Sequence, residues 1–426
     1  MCCALSTEGA QSAAMTDQAR EFDVIVYGAT GFVGVLVARH LAGFAPAGTR
    51  IALAGRSPEK LETVRQRLNV DWPLVVADAT DAAALDAMAS STRVVITTAG
   101  PYAKYGRILA HSCAKAGTDY VDLTGEVLFA RDSINENHDL ARSTGARIVH
   151  SCGFDSIPSD IGVHVLHSQV QADGAGELTD TTLVLTSMRG GVSGGTIDSM
   201  RYQVDVMSKD RGLRRIGASP YSLSPNREAE PDLGRQEDMI TVAASEVDPS
   251  LRGHLAPFVM ASYNTRVVRR SNALRDWAYG RRFRYREAMS VGTSPLSPAM
   301  ALGTKFVLGG LFLGLAVPPV RFVLDRVLPK PGTGPSEQTQ QSGHFTMDIF
   351  TTTTTGARYT TRFRAKGDPG YAATAVMLGE SALALALDRE KLPKTEGGVL
   401  TPATGIGDAL VDRLRTAGME ITARRL

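Results

Sequence analysis

Three glycines stand in the run Gly28-Ala29-Thr30-Gly31-Phe32-Val33-Gly34, between a stretch of apolar residues and a helical pattern. That placement suits phosphate chemistry. One glycine permits a tight turn, one lets the main chain approach a pyrophosphate, and one lets helix and strand pack closely; the helix N-terminus then offers unpaired N–H groups to the anion. The next apolar run ends in Gly55-Arg56-Ser57, where an enzyme reading a ribose 2′-hydroxyl usually carries an acid. A guanidinium and a hydroxyl suit a 2′-phosphate instead, so NADP(H) is the expected ligand. The plain alternative for Arg56 is a solvated loop arginine. Asp78 closes the third run and either bonds an adenine amino group or caps the helix that follows. After the fourth run comes Thr98-Ala99-Gly100-Pro101-Tyr102, small enough for a ligand to lie on the backbone, which adds Gly100 and Pro101 to the expected contacts.

These loops need a sheet to hold them. Apolar runs at residues 23–27, 50–54, 73–77, 93–98, 119–123 and 147–150 alternate with helical patterns at 31–42, 58–68, 81–89, 107–116 and 127–143. Near-continuous apolar strands joined by helices predict a doubly wound parallel sheet, a Rossmann domain over residues 21–150. Beyond it, residues 177–188 alternate like a strand, 195–207 read as a helix, and 220–253 read as an irregular excursion or lid. Runs 344–355 and 357–365 meet at Gly356 as an antiparallel hairpin, 371–387 is a helix, and 407–417 with 419–423 is a last helix and strand. The fold class expected is α/β: the Rossmann domain, then an α+β domain over 151–368 on a mostly antiparallel sheet, with 369–426 packing back on the first domain.

Composition agrees with this. A chain of 426 residues exceeds one hydrophobic core, and 43% apolar with 21% charged residues describes a globular protein rather than a disordered one. A formal charge of +2 gives no reason to expect nucleic acid. Cys2, Cys3, Cys113 and Cys152 form no CxxC pair, and His111, His138, His150, His164 and His344 show no HxxxH or HxH spacing, so no metal site is expected. Cys152 reads as a small core residue. Residues 1–20, small and polar, are expected to be disordered, with Met15 an alternative start; lacking a basic n-region and an apolar h-region, they make a poor signal peptide. A cytoplasmic location is the expectation.

Four stretches together resemble the saccharopine dehydrogenase-like family: the glycine turn, Ala99-Gly100-Pro101-Tyr102, residues 117–126 (GTDYVDLTGE) and residues 152–160 (CGFDSIPSD). The tail Gly398-Val399-Leu400-Thr401-Pro402-Ala403 is similar as well. Within that family, residues 268–274, 277–283 and 351–358 resemble the trans-acting enoyl reductases of polyketide-lipid assembly. The resemblance implies reduction of an enoyl thioester, carried by the acyl-carrier domain of a synthase without its own enoyl reductase, in complex-lipid (phthiocerol-type) biosynthesis. Such chemistry requires a hydride at the β-carbon, a proton at the α-carbon and a stabilised enolate oxygen. Tyr102 is the first candidate donor; Tyr120 and Asp155 are alternates, and Lys104 can bond a ribose or an enolate. Each has a plain alternative: Tyr102 packs its loop, Tyr120 lies in the core, and Asp155 ties down N–H groups of its own turn. Rival functions are an amino-acid or imine dehydrogenase, which needs an arginine-lined pocket, and a cofactor-holding protein without turnover.

Two further segments bear on partners. Residues 306–320 are uncharged and, broken by Pro318-Pro319, too short to span a bilayer. They read as buried core or a homo-oligomer interface, as an acyl-channel wall, or, over 306–317, as a peripheral membrane contact. Residues 262–286 hold eight arginines and one acid. They read either as a landing surface for an acidic carrier domain or as ion-pair partners of the acid-rich stretch at 227–246.

Overall fold

Every residue of Phe22–Tyr27 (β1) and Ile51–Gly55 (β2) is buried, which a strand tolerates only when both faces of its sheet are covered. The structure, a computed structural model, describes residues 20–191, 194–327, 334 and 336–426. The tail expected to be disordered falls on residues 1–19, outside the described residues. Arg20, assigned to that tail from sequence, is instead held: its guanidinium donates to the carbonyls of Ala89, Ser90 and Ala116.

The remaining strands of the first half are β3 (Leu74–Val76), β4 (Thr92–Thr97), β5 (Asp119–Val121) and β6 (Arg147–Val149). Between them run α1 (Phe32–Phe44), α2 (Pro58–Leu68), α3 (Ala82–Ser91), α4 (Tyr102–Tyr105), α5 (Arg107–Ala116) and α6 (Val127–Thr144). All pairings are parallel, in the order β6-β5-β4-β1-β2-β3. The order turns back between β1 and β4, and at that switch point the loops after the two strands part and leave a crevice.

A buried helix, α7 (Ile157–Ala172), leads into the second half. There follow β7 (Leu178–Arg189), α8 (Gly194–Lys209), α9 (Arg211–Ala218), β8 (Val242–Ala243), β9 (His254–Pro257), α10 (Ala261–Leu274) and β10 (Arg284–Ser290). Then come α11 (Ser297–Ala316), α12 (Pro318–Val327), β11 (His344–Thr353), β12 (Arg358–Lys366), α13 (Thr374–Leu387), β13 (Gly398–Leu400), α14 (Asp408–Thr416) and β14 (Glu420–Arg425). The second sheet runs β14-β12-β11-β7-β10-β9-β8, antiparallel except for the β7–β10 pair. The hairpin read from the alternating threonines is β11–β12, paired from His344↔Lys366 to Thr352↔Arg358.

The segment 369–426 divides between the sheets. β13 pairs in parallel with β6 and becomes a seventh strand of the first sheet, whereas β14 pairs with β12 in the second. α13 is apolar, almost wholly buried, and lies on α1, where Glu380 Oε1 meets His40 Nε2 at 2.8 Å. Among the described residues two helices are long and apolar enough to cross a membrane: Pro369–Leu387 is 78% buried and is core, but Ser297–Leu315 is only 18% buried.

Candidate functional site

The crevice between β1 and β4 opens into a cleft of about 720 Å³ whose walls come from both halves of the chain. Its floor is the glycine turn. Gly28 has φ +81°, a left-handed backbone that favours glycine, and a Cβ there would meet Thr98 Oγ1 at 2.9 Å. A Cβ on Gly34 would sit 2.9 Å from the Ala29 Cα and closer still to the Gly28 carbonyl oxygen, so this glycine lets α1 lie against the turn. Gly31 differs from both. A Cβ there would touch only the Gly28 carbonyl oxygen, at 3.3 Å, and Gly31 lines the cleft with Thr30, Phe32 and Val33. No side chain caps α1, which leaves its first-turn N–H groups open to an anion.

Arg56 is exposed on the rim, and among the described residues no hydrogen bond holds its guanidinium. A cation with no hydrogen-bonded partner beside a phosphate cradle fits a 2′-phosphate. Ser57, expected to share that role, is used otherwise: its hydroxyl accepts from the Lys60 N–H as the cap of α2 and donates to Glu59, and it does not line the cleft. Asp78 lines the cleft, but the cap of α3 is Asp81, which accepts from the Ala84 N–H. Asp78 accepts from the Thr80 N–H and hydroxyl at 2.9 and 2.6 Å; those bonds, with Arg56 nearby, hold its carboxyl below the usual range. Gly100 and Pro101 line the cleft beyond the turn.

The inner end of the cleft rearranges the proton-donor candidates. Tyr102 lines it, yet its hydroxyl donates to the Thr97 carbonyl at 3.2 Å and accepts from the Leu123 N–H at 3.4 Å. Burial pushes that hydroxyl well above its ordinary pKa, and its geometry is that of a strut between two loops. Lys104 is exposed, with its ammonium 5.1 Å from the Tyr202 ring centre, and does not line the cleft. Tyr120 is fully buried and bonds Asp122. Asp155 remains. It lines the cleft, no hydrogen bond reaches its carboxyl among the described residues, and burial raises its pKa to about 6.

Several residues here were missed from sequence. Tyr263 lines the cleft and its hydroxyl meets Ser151 Oγ at 2.5 Å; sequence reading noted its neighbours only for their arginines. Glu126 is buried and accepts from the N–H groups of Tyr102 (2.9 Å) and Ala103 (3.0 Å) and from the Ser199 hydroxyl (2.6 Å). Burial raises its carboxyl pKa despite these bonds. Gln203 adds a second tie, accepting from the Val127 N–H and donating to the Gly125 carbonyl. Ser199 and Gln203 belong to α8, so α8 roofs the cleft; no residue of the irregular stretch 220–253 lines it. Beneath, Asp122 accepts from the Ser151 and Thr124 N–H groups and meets His150 Nδ1 at 2.7 Å, fixing the loop that carries Asp155.

The arginine run divides: three of its eight side chains are internal, whereas Arg281, Arg282 and Arg284 are exposed. Arg266 and Arg269 are buried on α10 and both pair with Asp238 at 2.9 Å; Arg270 donates to the carbonyls of Leu223 and Val399. These three are not a landing surface. A different basic group is exposed near the cleft: Arg211, Arg214 and Arg215 of α9, whose Gly217 lines it.

The glycine turn, the switch-point crevice and the rim cation define a dinucleotide-binding α/β protein, and residues 24–149 match the family described as Saccharopine dehydrogenase NADP binding domain. An apo saccharopine dehydrogenase (L-Glu forming) from Saccharomyces cerevisiae superposes with a TM-score of 0.52 over 95% of this chain and 99% of that one, at 12% identity, which shows a shared fold. Proteins described as trans-acting enoyl reductase from Mycobacterium ulcerans and Mycobacterium tuberculosis are each 50% identical over 421 and 422 residues, 97% of this chain and 100% of theirs. A second Mycobacterium tuberculosis protein with a provisional description of the same kind is 52% identical over 420 residues, again 97% of this chain and 100% of its own. The chain belongs to the trans-acting enoyl reductase family, and it is an NADP(H)-binding oxidoreductase.

Proposed function

We propose that the chain reduces the carbon–carbon double bond of an enoyl thioester, acting in trans on a polyketide synthase of phthiocerol-type lipid assembly, in the cytoplasm. The observation that carries this is the chemistry of the cleft wall. Past Pro101 it carries Leu123, Val127, Met200, Val204, Met207 and Met260 beside the polar Asp155, Asp198, Ser199 and Gln203, and Arg56 at the nucleotide rim is the sole basic residue lining the cleft among those described. An amino-dicarboxylate needs cations there; an acyl chain does not.

NADPH, when bound, supplies the hydride for the β-carbon. The protein does the rest. The glycine turn and the N-terminus of α1 hold the pyrophosphate, and Arg56 holds the 2′-phosphate. The apolar wall takes the acyl chain and excludes water, which strengthens any polar contact inside. Asp155, whose pKa burial raises to about 6, gives its proton to the α-carbon, and the Tyr263–Ser151 hydroxyl pair donates toward the thioester oxygen. The carrier domain docks at Arg211, Arg214 and Arg215, from which a phosphopantetheine arm can enter beneath α8. The test is NADPH oxidation with an enoyl thioester of pantetheine against the corresponding imine substrates. Turnover with the thioester alone is expected; imine turnover, or cofactor binding with no turnover, overturns the proposal.

A further inference from the structure

Between Ser297 and Ala316, α11 carries a single charged side chain, Lys305. It meets the body of the protein along one face. Ser297 Oγ lies 3.1 Å from His254 Nδ1 on β9, Ala301 and Leu315 are buried, and Arg321 of α12 pairs with Asp205 of α8. Among its described side chains the open surface, Lys305 apart, is mainly apolar: Phe306 is 71% exposed, Val307 70% and Leu313 71%, with Leu302 alongside and Val320 and Phe322 extending the patch over α12. Phe306 and Val307 point about 100° apart around the helix, so the bare arc is wider than the face one packed partner helix would cover.

We infer that the α11–α12 hairpin is a lipid-contacting element that seats this chain on an anionic bilayer beside the roof of its cleft. A fluid apolar medium covers a broad arc; a folded partner covers a stripe. The charge pattern points the same way. From 297 to 327 the sequence holds three cations against one acid, Asp325; Arg321 is met by Asp205, which leaves Lys305 and Arg326 to face lipid, and the Arg326 guanidinium sits 3.7 Å from the Phe322 ring centre, a cation and an aromatic paired at the edge of the apolar surface. Although α11 is long enough to cross a bilayer, Ala301 and Leu315, near its two ends, are both buried. The helix therefore lies along the molecule and enters one leaflet only. α8 connects this surface to the cleft, because Met200 and Met207 line the cleft while α11 packs on the same helix.

The lipid contact does not depend on the reaction catalysed, and it is tested separately. The full chain is floated with vesicles of phosphatidylglycerol and phosphatidylcholine, and with phosphatidylcholine alone, beside the variant Phe306→Ser/Val307→Ser/Leu313→Ser. The unaltered protein is expected to float with the anionic vesicles and to do so less at high salt, and the variant to partition about a hundredfold less while keeping its melting temperature and NADPH affinity. Failure of the unaltered protein to float overturns the inference. So does equal flotation of the variant, or a dimer that the substitutions dissolve with no vesicle binding by either form.

Discussion

Gly31 and Gly34 lie three residues apart in one turn, and the structure assigns them opposite sensitivities. Replacing Gly34 by alanine drives a methyl group against main-chain atoms of Gly28 and Ala29 that no rotamer change can move. α1 must shift away from β1, which costs about 1–3 kcal/mol of stability. Replacing Gly31 by alanine meets a single oxygen at 3.3 Å on a backbone of φ −76°, ψ 161° that any residue adopts, so stability changes by less than about 1 kcal/mol. Its methyl group instead projects toward the space assigned to the pyrophosphate and displaces one charge-assisted N–H bond, worth about 1.5–3 kcal/mol. NADPH should therefore bind about 10- to 100-fold more weakly, at roughly 1.4 kcal/mol per decade. Urea unfolding and NADPH fluorescence titration separate the two effects. Wild-type NADPH affinity in Gly31→Ala would refute the placement of the nucleotide, because the methyl group meets only the Gly28 carbonyl oxygen otherwise.

Arg56→Ala should weaken NADPH by about tenfold or more and leave NADH unchanged, read as the ratio of the two dissociation constants. A donor must carry its proton, and Asp155 titrates at about 6, so turnover of the wild type should fall as pH rises through that value; Asp155→Asn should be about 10²-fold slower and flat. The same raised pKa sets a sign for stability. The protonated carboxyl supports the fold below the unfolded value of about 4, and the support is lost as pH rises through the folded value, so the stability gap between wild type and Asp155→Asn should move against the wild type over that window. Glu126→Ala strips the acceptor from two N–H groups of α4 and should lower stability by about 1–3 kcal/mol in denaturant unfolding, with Glu126→Gln in between.

How much of this was legible in sequence follows from what writes a periodic pattern. Strands covered on both faces are continuous apolar runs, so β1 to β6 and their helices, the short α4 excepted, stood out to within a residue or two, and with them the turn at Gly28. α10 did not. Its buried face includes Arg266, Arg269 and Arg270, whose charges are met by Asp238 and by carbonyls far away in sequence, and a chain read locally shows these as surface. The site divided on the same line. Gly28, Gly31 and Arg56 are placed by local geometry, and all three line the cleft. Whether the hydroxyls of Ser57 and Tyr102 are free depends on Lys60, Thr97 and Leu123, and that Glu126 ties α4 to α8 depends on a contact 73 residues away.

β13 completes the first sheet from residues that leave the ribosome long after the rest of it. Until Gly398–Leu400 arrives, the edge of β6 lies bare, and so do the Arg147 guanidinium, which donates to the carbonyls of Gly405 and Pro393, and Asp119, which pairs with Arg389. A nascent chain halted after its first 150 residues would thus carry an unfinished nucleotide-binding half, prone to pairing with a neighbour's edge. Synthesis must pass Leu400 before the protein can hold its coenzyme in a finished sheet.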